Sequence, residues 1–247
     1  MLFFQKFVLF LSGVLVSGPL LLSAQITGAI APPSKTDTFI KNEKGYKFRV
    51  QHGELPAGNF QIAGVDLTAF GEVLDQAEKV LGKTPIKATG DAADYLAEAC
   101  YRPVDQNDTT LLIIQTGEVV PSYILAADHS AWKWKTPCLP TNKVSRQIAT
   151  ASGIKIGLTQ DEVIAILGLP TRRVHNASTG KEQLIYAYSM QKKFTARDFA
   201  WIRKCYPNKS EETIRSEYKI YDLWESITAK FVNNVLVRLE VEYSTTD

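Results

Sequence analysis

The sequence predicts an α+β fold made of two related units, each an amphipathic helix followed by antiparallel strands, and three observations point to it. Residues 65 to 85 (VDLTAFGEVLDQAEKVLGKTP) and 156 to 171 (IGLTQDEVIAILGLPT) both carry apolar residues at helical spacing and both end in Leu-Gly and a proline. Downstream of each, the pattern changes to strand-like runs, TTLLIIQT at 109–116 and QLIYAYS at 183–189. Neither helix is long enough to be stable alone in water, so each requires a sheet beneath it.

In the first helix Phe70, Val73, Leu74, Ala77, Val80 and Leu81 form one face, and Gly82 followed by Pro85 closes it. Upstream, weak alternation from Tyr46 to Ile62 around Gly53, Pro56 and Gly58 predicts a short hairpin. Asp91 is placed to cap a second short helix, AADYLAEAC, which Pro103 would end. Two strands follow, at 109–116 and 122–127. The first is so continuously apolar that it belongs in the middle of a sheet.

The second helix has its boundaries written into the sequence. Thr159 and Glu162 form a capping box, Leu158 and Val163 the matching hydrophobic staple. Gly168 is expected left-handed, with Leu169 reaching Ile164 across a Schellman turn and Pro170 preventing extension. In 183–189, Leu184, Tyr186 and Tyr188 alternate with Ile185 and Ala187. The last strands, ESITAKF and VLVRLEVEYS, present Ile227, Ala229 and Phe231 and then Val235, Val237, Leu239, Val241 and Tyr243. A three-residue loop, Val232-Asn233-Asn234, would pair Phe231 with Val235 and bring these faces into register, with Asn234 left-handed. Residues 190–219 read as an insertion of one or two helices.

The chain has 247 residues, of which 45% are hydrophobic and 22% charged, so a sizeable core is available. Residues 1–24 have the basic, apolar and small-residue regions of an export signal, with cleavage after Ala24. The competing reading is an uncleaved anchor, since 7–31 is uncharged; Ser12, Gly13, Ser17, Gly18 and Pro19 speak against it. Cleavage removes Lys6 from the 28 basic residues and leaves 27 against 26 acidic, so no bulk attraction to nucleic acid is expected. Residues 25–38 read as a linker, 39–145 as the first unit and 146–247 as the second. An exported chain with three cysteines is expected to oxidise a pair. Cys100 with Cys138 is favoured because both border the same strands; Cys205 remains an alternative partner for either. No two cysteines are close, and His52, His129 and His175 have no ligand spacing, so neither metal nor cofactor is expected.

The second copy, from Gly157-Leu158-Thr159 through Glu162-Val163 to Leu167-Gly168-Leu169-Pro170-Thr171, resembles the SmpA/OmlA family of small outer-membrane-assembly lipoproteins. The tandem arrangement resembles the β-lactamase inhibitor protein, whose two helix-plus-strand units share a sheet. The likeness covers about 154–243 for the second unit and, less specifically, 65–127 for the first. It departs from the lipoprotein pattern at Gln25, where the acylated cysteine would stand, and in its long insertion. The resemblance implies a binding or assembly role and carries over no catalytic residue.

Catalytic fingerprints are missing: there is no Gly-x-Ser-x-Gly, His-Glu-x-x-His, Walker loop or dinucleotide motif. His129-Ser130 is the nearest approach to a triad fragment, and adjacency does not make triad geometry. Candidate binding residues lie in HSAWKWKTPCLP, 129–140. If extended, Trp132 and Trp134 share one face and Lys133 and Lys135 the other, which suits a protein or glycan partner; the plainer reading is that both rings cover the sheet. Arg172 and Arg173, just after the second helix, are candidates for an anionic group. The expected function is an exported, non-catalytic module, periplasmic or secreted, that binds another exported or envelope protein. A membrane contact is expected only if the N-terminal segment stays uncleaved. The alternative is a hydrolytic or glycan-modifying enzyme with an unrecognised site.

Overall fold

A computed structural model describes residues 38–41, 47–52, 55–69, 73–91, 95–117, 120–176 and 179–246. Residues 1–24, read above as an export signal, all but the last of residues 25–38, read as a linker, and Phe70 lie outside these. The fold is α+β. In chain order the elements are β1 (Thr38–Lys41), β2 (Lys47–His52), β3 (Gln61–Ile62), β4 (Val65–Asp66), α1 (Val73–Leu81), β5 (Lys87–Thr89), β6 (Leu96–Pro103), β7 (Leu111–Gly117), β8 (Pro121–Ala126) and β9 (Leu139–Thr141). Then come α2 (Gln160–Leu167), β10 (Arg172–Asn176), β11 (Lys181–Lys193), α3 (Ala196–Cys205), α4 (Glu211–Glu217), β12 (Ile220–Val232) and β13 (Val235–Thr246).

One large, mainly antiparallel sheet organises them, in the order β1-β2-β11-β12-β13-β8-β7-β6-β5, with β10 on β11 and β9 on β6. α1 is followed by β5 to β9, of which β5 to β8 pair in sequence, and α2 by β10 to β13, which also pair in sequence. The last strands, β8 and β13, pair with each other, Val241 opposite Tyr123 and Leu239 opposite Leu125. The segments that precede the helices also touch. Ile62 bridges Thr150, and the Ala151 N–H donates to the Gln61 carbonyl at 3.0 Å.

One sheet face carries the main core. Tyr101, Leu112, Ile114, Tyr123, Leu125 and Val241 lie there with Val73, Ala77 and Leu81 of α1 and Val163, Ile164 and Leu167 of α2. In α1 those residues are four apart, the spacing of one helical stripe. α2 forms as its sequence requires: Thr159 accepts the Glu162 amide while the Glu162 carboxylate accepts the Thr159 amide at 2.7 Å. The Leu236 N–H donates to the Leu158 carbonyl at 2.8 Å, and the Tyr186 hydroxyl donates to the Gly168 carbonyl at 3.2 Å, so both ends of the helix are pinned to strands. β7 is internal, as its apolar run predicts, with Leu111 to Ile114 buried.

Five expectations need correction. Leu96–Pro103 is a strand and not the second half of a capped helix. Ala, Leu and Glu are good helix formers, but intrinsic propensity yields to tertiary pairing, and β6 gains partners on both sides, β7 on one and β5 and β9 on the other. The hairpin expected across 46–62 resolves into two pairs, β1 with β2 and β3 with β4. Gly168 has the expected positive φ of 81°, but its ψ of −166° is extended, so the chain leaves α2 straight toward Pro170 without a Schellman turn. The strand β11 runs on to Lys193 and β12 begins at Ile220, which shortens the insertion to 194–219 and its two helices.

The last hairpin is the most instructive correction. Val232 pairs with Val235 and Phe231 with Leu236, so the loop is the two-residue Asn233-Asn234, both left-handed at φ 50° and 64°. That is the primed turn which matches strand twist. The register then shifts, Lys230 facing Arg238 and Ala229 facing Leu239. A bulge at Val237 restores the buried face by adding one residue. Leu236 is buried in place of Val235, which is 37% exposed.

Four core tyrosines set an alkaline limit on this fold. Burial, and then the nearby Glu78 charge, push Tyr101 up to about 12. Tyr123, Tyr186 and Tyr243 are raised mainly by burial as well. The unfolded chain releases these protons near pH 10, so the contribution is fully present below that and is lost as pH rises toward the folded values. Denaturant titrations should therefore show stability falling above pH 10, with phenolate absorbance from these rings appearing together with unfolding. Phenolate signal from all the tyrosines ahead of unfolding would contradict it.

Candidate functional site

Two places gather chemistry among the described residues. The first lies on the sheet face opposite the helices. Residues 127–138 cross this face over β6, β7 and β8, and Cys138 is joined to Cys100 of β6 by the disulfide. Beneath the loop a small second core forms from Cys100, Leu111, Ile113, Ala126, Ala131 and Cys138, with Trp132 packed on it. The Trp132 indole N–H donates to the Thr136 carbonyl at 2.7 Å, closing the loop on itself. Trp134 donates to Glu98 Oε2 at 2.7 Å; Glu98 Oε1 accepts from Gln115 at 2.6 Å, and Gln115 accepts from Ser122 at 3.1 Å.

Burial alternates along 132–135. Trp132 and Trp134 are half-buried, Lys133 and Lys135 exposed. The expected division of faces is present, although the segment is a 3-10 turn followed by bends and not a strand. Both rings cover the sheet, which leaves the ammonium groups as the outward chemistry. Toward β12 and β13 the same face is polar: Glu240 accepts from Lys230 at 2.7 Å and from Arg238 at 2.6 Å, and Ser226 donates to Glu242.

The remaining sequence candidates are dispersed. Arg172 and Arg173 lie in β10, opposite Ile185 and Leu184, and so point to opposite faces of the sheet. They do not converge on one anion. His129 and Ser130 form a 3-10 turn capped by Asp128, whose Oδ1 accepts the Ser130 amide at 2.7 Å. The Asp128 carboxyl is held below its ordinary value, first by the Ser130 hydroxyl. That serine serves a cap. Cys205 is free and exposed at the end of α3.

The second place was not foreseen. A cavity of about 450 Å³ opens between the inserted helices and the ends of β7, β8, β12 and β13. Trp201, Tyr206, Tyr218, Tyr221 and Tyr243 line it together with Thr68, Ala69, Thr116 and Gly117. Phe194 is the hub of the ring cluster, with centroids at 4.8 Å from Tyr221, 5.6 Å from Tyr218 and 6.0 Å from Phe199. α3 begins with a capping box, Thr195 to Asp198, which places the Asp198 side chain at the cavity with 6% exposure. Its Oδ2 accepts the Thr195 amide at 2.6 Å. Buried Glu225, register partner of Tyr243, accepts the Leu55 amide at 2.6 Å. The Tyr243 hydroxyl is raised first by burial and next by Tyr221.

The Thr-x-x-Asp box and the aromatic density of KKFTARDFAWIRKCY were visible in the sequence. Their partners, which come from around 67–73, 116–121 and 243–245, were not. Comparison of the chain with known protein families, curated proteins and solved structures finds no match.

The disulfide closes a loop with a sequence separation of 38, worth about 4 kcal/mol on the chain-entropy model. Replacing Cys100 and Cys138 together by Ser is expected to lower unfolding free energy by about that amount in urea titration. Because Trp132 completes the small core, Trp132→Ala is expected to cost about 2 kcal/mol; no change in either variant would show that the loop is not braced.

Proposed function

We propose that the chain is an exported, non-catalytic binding protein that engages another protein of the envelope or outside the cell. The single observation that carries this reading is the braced tryptophan loop. The disulfide and the Trp134–Glu98 hydrogen bond hold it against the sheet, the Trp132–Thr136 bond closes it on itself, and it offers Lys133 and Lys135 outward on the face without helices. Preorganisation of this kind reduces the ordering entropy lost on association. The exposed lysines favour a partner with acidic groups, and steering by them is to be screened by salt.

The finer reading of the fold belongs to the same proposal. The chain is built of two related units with a β-lactamase-inhibitor-like arrangement, the second of them similar to the SmpA/OmlA pattern. It is supported by the matched order of a helix and four strands that pair in sequence. Further support comes from Gly82 and Gly168, whose amides close their helices on Glu78 and Ile164 at 3.0 and 2.8 Å, both with positive φ. The antiparallel meeting of β8 and β13 is what two such units sharing a sheet require.

The test is capture from a native envelope fraction. Lys133→Glu with Lys135→Glu is expected to weaken recovery of the partner by about tenfold while the melting temperature stays unchanged. Equal recovery by wild type and variant would refute the loop as the binding element. Intact mass of the exported form is expected to begin at Gln25; a mass beginning at Met1 would refute the cleaved signal.

A further inference from the structure

The aromatic cavity is separate from the tryptophan loop and lies on the other face of the sheet. We propose that it is a ligand site for an organic cation, an alkyl- or arylammonium with an apolar body. Four features lead there.

The first is size: at about 450 Å³ it falls in the range of small-molecule sites. The second is lining. Phe194, Trp201, Tyr206, Tyr218, Tyr221 and Tyr243 share it with small and apolar residues, so the body of a ligand would meet mostly rings and carbon. The third is charge. Among the described residues that line it, Asp198 alone is charged, and it is almost fully buried, while the buried carboxylate of Glu225 stands one strand away from Tyr243. A desolvated carboxylate attracts a cation strongly and repels an anion. The Asp198 carboxylate already serves the α3 cap through Oδ2, which fixes where its charge sits.

The fourth feature is that the same rings bind an ammonium group within the chain. Lys209 Nζ lies 4.9 Å from the ring centre of Tyr206 and 5.5 Å from that of Tyr218, and both tyrosines line the cavity. On the outer side Arg215 sits 4.9 Å from the Phe199 ring. Electron-rich ring faces attract cations at these separations. The position of the cavity also gives the insertion a purpose. The sheet needs no α3 or α4, yet α3 and the residues flanking α4 supply most of the rings in the lining, and the segment before α1 and the β7–β8 ends supply much of the rest.

The experiment is calorimetric titration of the full exported chain with phenyltrimethylammonium, its uncharged isostere tert-butylbenzene, and benzenesulfonate. The cation is expected to bind at least about tenfold more tightly than the isostere, and benzenesulfonate not at all. Asp198→Asn keeps an oxygen for the α3 cap and removes the charge. It should weaken the cation by about tenfold and leave the isostere unchanged, with the melting temperature as the check on folding. Trp201→Leu should weaken both probes. Equal affinity for cation and isostere, preference for benzenesulfonate, binding insensitive to both substitutions, or no binding by the folded wild type would each overturn the proposal. None of these outcomes bears on capture through Lys133 and Lys135.

Discussion

The pairing of β8 with β13 is the constraint on which the rest depends. Side chains alternate along a strand, so one register fixes which residues of both halves face the helices. With Leu239 opposite Leu125 and Val241 opposite Tyr123, apolar groups from both meanders meet on one side. Ala126, Ile124, Arg238 and Glu240 go to the other. A slip of one residue would drive Arg238 and Glu240 into the core, where unpaired charge is very costly. The seam is locked at its ends: the Ala127 amide donates to the Val237 carbonyl at 2.8 Å, and the Tyr123 hydroxyl donates to the Asn59 carbonyl at 2.7 Å.

The bulge in β13 follows from the same constraint. At the turn, the Leu236 backbone bonds Leu158 and Gly157 on both its polar groups, and its side chain is buried. At the seam, Leu239 and Val241 must be buried. Leu236 and Leu239 differ by an odd number, and a regular strand cannot bury both. One extra residue at Val237 resolves the parity, and the added local twist suits a sheet of this width. Once the bulge exists, the two-residue Asn-Asn turn no longer mixes the faces, and the longer loop is unnecessary.

What was legible in the sequence is what local chemistry decides. The Thr159–Glu162 box, the helical stripe of 73–81, the buried run of β7 and the pairing of Cys100 with Cys138 all rest on nearby residues or on strands with strong patterns. The alternation of VLVRLEVEYS pointed to an uninterrupted strand, and only the apolar Leu236, out of phase with its neighbours, hinted otherwise. Leu96–Pro103 misled for the opposite reason: its composition favours helix, and its three strand partners come from 87–89, 111–117 and 139–141. The cavity was hidden because its lining comes from segments far apart in the chain, around 67–73, 116–121, 194–221 and 243–245, which only the folded sheet brings together.

The inserted helices show how one set of side chains can serve both packing and recognition. α3 and α4 have ten and seven residues, too short to persist without support. Phe194, Tyr218 and Tyr221 hold them to the end of β12, and the Lys209–Glu217 and Arg215–Glu211 pairs tie the outer surface. Those surface pairs are exposed and contribute little to stability, so the rings carry the attachment. Phe194, Tyr218 and Tyr221, which fasten the insertion, also line the cavity, so one set of rings both packs the helices and borders the space. Gly117 is small for a separate reason: a side chain there would meet the Tyr95 carbonyl oxygen at 3.2 Å.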